Sequence, residues 1–136
     1  MLESPASVES SPIADSEGGE PPAGFNVGRV VEVARRLGLV ASEVTASEAV
    51  ELLDGNAATV GIVILNIESL SKVEIVVELS NDRQGWWGAM STSLRRAGYW
   101  SVRTVGIAAR FVRVRYTGVG ASGTAILAAL VKPWRL

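Results

Sequence analysis

Two segments of the chain alternate apolar and polar side chains with the period of two that is typical of a β-strand. In Val73–Leu79 every second residue is Val, Ile or Leu, and two of the residues between them are glutamates. Ala109–Thr117 alternates in the same way, with Arg113 and Arg115 on its polar side. Each pattern predicts a strand with one face in the core and the other toward solvent.

Five further segments have the apolar and β-branched content of strands. They are Leu39–Val44, Ala49–Leu53, Val60–Ile67, Trp100–Ile107 and Thr124–Val131. The third is almost continuously apolar, which predicts a strand covered on both faces. Turn residues separate these segments, at intervals of roughly 8 to 14 residues, and no helical pattern lies between the later ones. The chain is therefore predicted to be mainly β, an antiparallel, jelly-roll-like β-sandwich.

Residues Asn26–Gly38 have two interpretations. Their apolar residues recur with helical spacing at positions 27, 30, 31, 34 and 37, and Asn26 and Gly38 suit the two caps of a helix. The run Arg29–Val33 is rich in valine, which is typical of a strand. The spacing favours one short helix, and the strand stays open as the alternative.

Residues 1–24, here called the acidic arm, differ in composition from the rest. They hold four of the five prolines and many serines and acids, and they contain too little apolar surface to form a core. We expect an extended arm that packs along its own domain or a neighbouring subunit, with Ile13 as an anchor. The predicted organisation is the arm at 1–24 followed by one β-sandwich domain at 25–136.

The chain of 136 residues contains no Cys and no His. Disulfides, thiol nucleophiles, imidazole bases and the usual zinc ligands are thereby excluded. The remaining residues form no catalytic motif, so we expect no enzymatic activity, no cofactor and no metal site. Asp54 with Asn56, and Asn81 with Asp82, offer oxygen ligands for calcium, but the chemistry of tight turns explains them better.

Charge is distributed unevenly along the chain. Residues 1–22 carry −5, residues 23–82 carry −5, and residues 83–136 carry +9 without a single acid. This asymmetry predicts a partner. The arm residues Glu9, Asp15, Glu17 and Glu20 and the strand residues Arg113 and Arg115 are candidates for an interface between neighbouring copies.

The sequence allows two other interpretations of the arginines, as partners of glutamates within the fold or as ligands of a nucleic acid. If their strands are neighbours, Glu74 and Glu78 would form cross-strand ion pairs with Arg113 and Arg115. A nucleic-acid partner is disfavoured, because the pI is about 5.5 and the basic residues are spread over several strands.

Trp86 and Trp87 follow a predicted turn. Adjacent residues of a strand face opposite ways, so one ring should enter the core and the other should be partly exposed. An exposed Trp could bind a sugar ring or anchor a protein interface, and one that merely caps the end of the sandwich is the simpler interpretation.

Short motifs in two regions resemble those of discoidin-like, galactose-binding-like β-sandwiches. A strand ends in Ser80-Asn81-Asp82 and leads to Trp86, and a later strand contains Arg110-Phe-Val-Arg113. Leu52-Leu-Asp-Gly55 and the closing strand Thr124–Val131 are also similar to that family. The resemblance implies a β-sandwich, and its small free-standing versions look like virion components of tailed phages.

These observations lead to one functional expectation and one alternative. The first is a non-enzymatic structural protein of a multi-copy particle, such as a phage capsid decoration or tail-associated protein. It would contact copies of itself and a major shell or tube protein, and it would be made in the cytoplasm without a signal peptide and without a membrane partner. The alternative is a carbohydrate-binding or adhesion module that uses Trp86 or Trp87.

Overall fold

The structure is a computed structural model that describes residues 25, 26 and 29–135. In these residues, ten β-strands make up the fold. They are β1 (Phe25–Asn26), β2 (Val31–Val40), β3 (Val44–Ala46), β4 (Val50–Glu51), β5 (Ala57–Glu68), β6 (Lys72–Ser80), β7 (Trp87–Leu94), β8 (Gly98–Val105), β9 (Phe111–Val119) and β10 (Thr124–Arg135). The acidic arm lies outside the described residues, so its predicted extended course stays a prediction.

The strands form two antiparallel sheets. In sheet A, β10 is flanked on one side by β1 and β2 and on the other by β5, which in turn pairs with β8. In sheet B, β9 is flanked by β3 and β4 on one side and by β6 on the other, and β6 pairs with β7. Side chains from both sheets share one buried apolar cluster. The predicted antiparallel β-sandwich is thus confirmed.

Alternation along β6 and β9 builds one half of the core. Ile75 lies directly opposite Tyr116, and Val77 lies opposite Val114, and all four side chains are buried. Since residues opposite each other on neighbouring antiparallel strands face the same side, the glutamates of β6 and the arginines of β9 share the outer face. The two strands are therefore neighbours, which is the condition that the ion-pair interpretation required.

The helix favoured for Asn26–Gly38 is wrong, because the described part of this segment is strand β2. The spacing of three residues between Ala34 and Leu37 arises from a β-bulge. Ala34 pairs with Ala129 and Leu37 pairs with Leu127, so β2 advances by three residues over a distance at which β10 advances by two. A bulge inserts an extra residue and restores the same face after three positions instead of two. The helical spacing of the apolar residues thus has a second physical origin.

Strand β7 was not predicted. Apart from Met90, its residues between Trp87 and Leu94 are small or hydroxylated, and most of them are exposed at the edge of sheet B. An edge strand with one paired side needs little apolar surface, so its sequence lacks the pattern of a core strand. In the structure it fills most of the stretch from Gly85 to Gly98 that had looked like a connection.

Candidate functional site

Arg113 and Arg115 lie together on the outer face of sheet B, and both bind Glu78. The carboxylate of Glu78 accepts a hydrogen bond from Nε of Arg113 at 2.8 Å and another from Nε of Arg115 at 3.0 Å. The side chain of Glu78 is only 10% exposed. Glu74 instead pairs with Lys72 at 3.3 Å. The cross-strand ion pairs expected of Glu78 are confirmed, whereas Glu74 has a lysine as its partner.

Trp86 is next to this trio. The guanidinium of Arg113 lies 4.2 Å from the centre of the Trp86 ring, which is close enough for a cation–π contact. A shallow groove of about 380 Å³ begins here and is bordered by Arg83 and by residues 47–49, among them Glu48. The groove therefore combines an aromatic ring with charged side chains of both signs.

Trp87 projects to the other side of sheet B. It lies directly opposite the buried Leu79 on β6, yet its own side chain is 45% exposed because β7 is at the edge. Trp86 is half-buried, so neither ring enters the core as one was expected to do. The structure brings Trp86, but not Trp87, together with Arg113 and Arg115.

The basic residues of 83–136 do not share one surface. On sheet A, Arg103 and Lys132 lie 4.5 Å and 4.6 Å from the ring of Trp134. Arg113 and Arg115 are on the outside of sheet B, where the acidic strand β6 is their neighbour. The contact predicted between these two arginines and Glu9, Asp15, Glu17 and Glu20 involves an arm that lies outside the described residues, so it stays a prediction.

The outer face of sheet A carries an apolar surface that the sequence interpretation did not assign. Tyr99 on β8, Val63 on β5 and Ala128 on β10 form one row across the sheet. Leu65 and Leu130 extend this row, and we call these five residues the apolar outer face. Tyr99 is 66% exposed and Leu65 is 44% exposed. The continuous apolar run of β5 was the signal for this face, since such a run predicts cover on both sides.

A second surface lies at the open edge of the sandwich between β2 and β3. A groove of about 350 Å³ there is lined by apolar side chains of β2, including Leu37, and by Arg35, Arg36, Glu48 and Tyr116. Tyr116 is 1% exposed, and within the described residues its hydroxyl has no hydrogen-bond partner. Burial raises the pKa of this phenol well above its ordinary value, so the hydroxyl keeps its proton. We call this cleft the edge groove.

The turn after β6 uses Asp82 as an internal acceptor. Its Oδ1 accepts hydrogen bonds from the Ser80 hydroxyl and from the backbone N–H groups of Gln84 and Gly85. These backbone bonds lower the pKa of Asp82. The structural role expected for Asp82 is confirmed. Across residues 25, 26 and 29–135, no group of three or more acidic side chains is placed to hold a metal ion, and no helix has the length and apolarity to span a membrane.

Solved structures of other proteins share the fold of this chain at low sequence identity. No family model and no curated protein sequence matches the chain. Among solved structures, the PBSX exported protein XepA superimposes with a TM-score of 0.62 at 10% identity, over 85% of this chain and 45% of its own. PirA gives 0.51 at 14% identity, over 71% and 92%, and the SPBc2 prophage-derived protein YomS gives 0.48 at 13%, over 82% and 97%. The chain thus spans less than half of XepA, and the first two likenesses show a shared β-sandwich fold.

Proposed function

We propose that the chain is a non-enzymatic structural subunit of a multi-copy particle, of the capsid-decorating or tail-associated kind found in phages. Its domain would act as a rigid body that docks on neighbouring subunits, and many weak contacts would add up through their high effective concentration. The fold shared with XepA is compatible with this role, as is the resemblance to small discoidin-like virion proteins.

The observation that carries the proposal is the apolar outer face. Val63, Leu65 and Tyr99 lie on the outer face of sheet A, where the other described sheet does not pack, and Tyr99 and Leu65 are exposed. Exposed apolar side chains that are grouped together and bordered by charged groups such as Arg103 are typical of sites of protein association. Neither of the two grooves described above is lined by these residues, so this face suits a protein surface better than a small substrate, which binds in a concave site.

Light scattering on the full chain tests the proposal, with the chain alone and mixed with the products of neighbouring genes. We expect complexes larger than one chain, and we expect Tyr99→Asp to abolish them because it places a charge in the docking surface. Leu53→Asp is the matched control, since Leu53 is also an exposed apolar residue, at 60%, but lies in the turn after β4. A chain that stays monomeric in every mixture would overturn the proposal, and complexes unchanged by Tyr99→Asp would overturn the role of this face.

A second candidate function is carbohydrate binding, which the groove beside Trp86 favours. Glycan sites combine an aromatic ring with hydrogen-bonding side chains, and Arg83 and Glu48 border this groove. A glycan array separates the two functions. Saturable binding that Trp86→Ala removes and Trp87→Ala retains would support the module, and the absence of any binding would exclude it.

A further inference from the structure

We propose that the edge groove is the docking site for the acidic arm of a second copy of this chain, with Ile13 as the apolar anchor. This inference rests on the proposed function, because it names the contact by which neighbouring subunits of a particle would be linked.

The edge groove has apolar surface that is only partly buried and a hydroxyl without a hydrogen-bond partner in the described residues, and another segment of protein could cover both. Along its β2 side it offers apolar surface, and Leu37 there is only partly buried. At its floor the buried hydroxyl of Tyr116 has no partner within the described residues. An unpaired hydroxyl in the interior costs free energy, and an incoming backbone carbonyl would remove that cost by accepting its hydrogen bond.

The strand that borders the groove also offers backbone groups. Strand β2 pairs with β10 along one side, and no described strand pairs with its other side. At its last residue this edge is closed, because the backbone N–H and C=O of Val40 are bonded to Glu43. The rest of the edge is a template on which an extended segment can add a strand. The occupant is therefore expected to be extended, to carry few bulky residues, and to present one apolar side chain to the groove.

Residues 1–24 fit this description in composition and charge. They contain five acids and no Lys or Arg, whereas Arg35 and Arg36 line the groove together with Glu48. Arg35 also has an exposed ion pair with Glu32 at 3.4 Å, which an incoming acid would share or replace. Ile13 is the bulkiest β-branched residue of the arm, and Asp15 lies two residues from it. Seating Ile13 on Leu37 would thus place an acid near the arginines.

The direction of the chain favours the groove of a second copy over the arm's own groove. Strands β1 and β2 run the same way along β10, with Asn26 opposite Trp134 and Val31 opposite Val131. The chain therefore enters β1 from the end of sheet A that is far from the groove, and it would have to reverse to reach its own. In an extended form, the twelve residues from Ile13 to Phe25 reach up to about 40 Å, which is the span available for Ile13 to enter the groove of a neighbour.

Cysteine cross-linking on the full chain tests the proposal. The native sequence has no Cys, so every disulfide must involve an introduced cysteine. One tagged chain carries Ser11→Cys, which keeps the anchor Ile13 and lies two residues from it, and a second chain with a different tag carries Ala46→Cys in the groove. Under mild oxidation we expect mixed cross-links at least about tenfold above those formed with Ala89→Cys, an exposed residue on the opposite edge strand β7. Equal yields from the two sites would overturn the proposal.

Further variants separate the mechanism from nonspecific contact. Arg35→Glu with Arg36→Glu should abolish the excess cross-linking, while Arg95→Glu with Arg96→Glu makes the same change of charge in the β7–β8 loop and should leave it intact. Tyr116→Phe removes only the hydroxyl and should weaken docking about three- to tenfold, the worth of one hydrogen bond. Docking that is unchanged in the Arg35/Arg36 variant would refute the electrostatic argument.

Two outcomes distinguish this inference from the proposed function. A chain with both Ser11→Cys and Ala46→Cys that cross-links only within itself at high dilution would show that the arm occupies its own groove, which overturns the second-copy assignment. If light scattering shows particles but Ser11→Cys gives no preference for the groove, the arm proposal fails and the proposed function stands. If neither particles nor cross-links form, both fail.

Discussion

Arg113 and Arg115 both bind Glu78, and Glu78→Ala tests how much these bonds stabilise the fold. In the native protein this carboxylate receives one hydrogen bond from each arginine, at 2.8 Å and 3.0 Å. Without it, two guanidinium groups would lie side by side with no acid between them. The variant should therefore lose both bonds and gain a repulsion.

The size of the loss follows from the exposure of the three groups. A hydrogen bond to a charged group contributes about 1.5–3 kcal/mol when it is protected from water. Here the side chains of Arg113 and Arg115 are 25% and 37% exposed, so water replaces part of each bond. We expect the free energy of unfolding to fall by about 2–4 kcal/mol for Glu78→Ala, and by about half of that for Glu78→Gln, which keeps the shape and one acceptor.

Urea denaturation followed by tryptophan fluorescence measures the change. Glu74→Ala is the matched control, because Glu74 is on the same face of β6 but is 45% exposed and pairs with one lysine. Its loss should cost under about 0.5 kcal/mol, as is typical of a surface ion pair. If the two alanine variants are equally stable, the arginines contribute little to the fold, and the reasoning that their bonds to Glu78 stabilise it is refuted.

Three further substitutions test other parts of the fold by the same assay. Gly123→Ala should lower the free energy of unfolding by about 2 kcal/mol or more, because the φ of Gly123 is +121° and a Cβ would collide with the carbonyl oxygen of Glu68. Gly38→Ala is the control and should leave the stability unchanged, because there is open space around Gly38. Equal losses in the two variants would contradict the role of the collision. For Asp82, whose pKa is lowered by backbone hydrogen bonds, the stabilisation is full above the ordinary value of 3.8 and is lost as the pH falls through the lower folded-state pKa. Urea midpoints should show that Asp82→Asn lacks this component of the acid-induced loss, and a parallel pH profile would refute it. Ile62→Ala should cost about 2–5 kcal/mol through the cavity that it leaves in the core, and a loss under about 1 kcal/mol would show that the site collapses around it.

Periodicity predicted the parts of the fold whose side chains face a core on one side. The sequences of β6 and β9 alternate with a period of two, so the inner and outer faces of each strand could be predicted, whereas their pairing with each other could not. Strand β2 could not, because its bulges change the period, and the same apolar residues then match a helix. Strand β7 could not either, since an exposed edge strand has no apolar face to detect.

The candidate surfaces were only partly predictable for a different reason. Alternation placed Arg113 and Arg115 on one face, but only the pairing of β6 with β9 shows that Glu78 binds both. The charge asymmetry along the chain does not record that folding places the acidic strand β6 next to the basic strand β9. The edge groove depends on the gap between β2 and β3 and on one unpaired hydroxyl, neither of which any local pattern records.

The position of β10 at the centre of sheet A has a consequence for how the protein acquires its structure during synthesis. Strands β1, β2 and β5 all pair with it, so none of these pairings can form until residues 124–135 have left the ribosome. Sheet B needs only β9 and earlier residues and can assemble first. While translation is unfinished, β5 has only β8 as a neighbour in its own sheet, and the backbone edge that later pairs with β10 stays open.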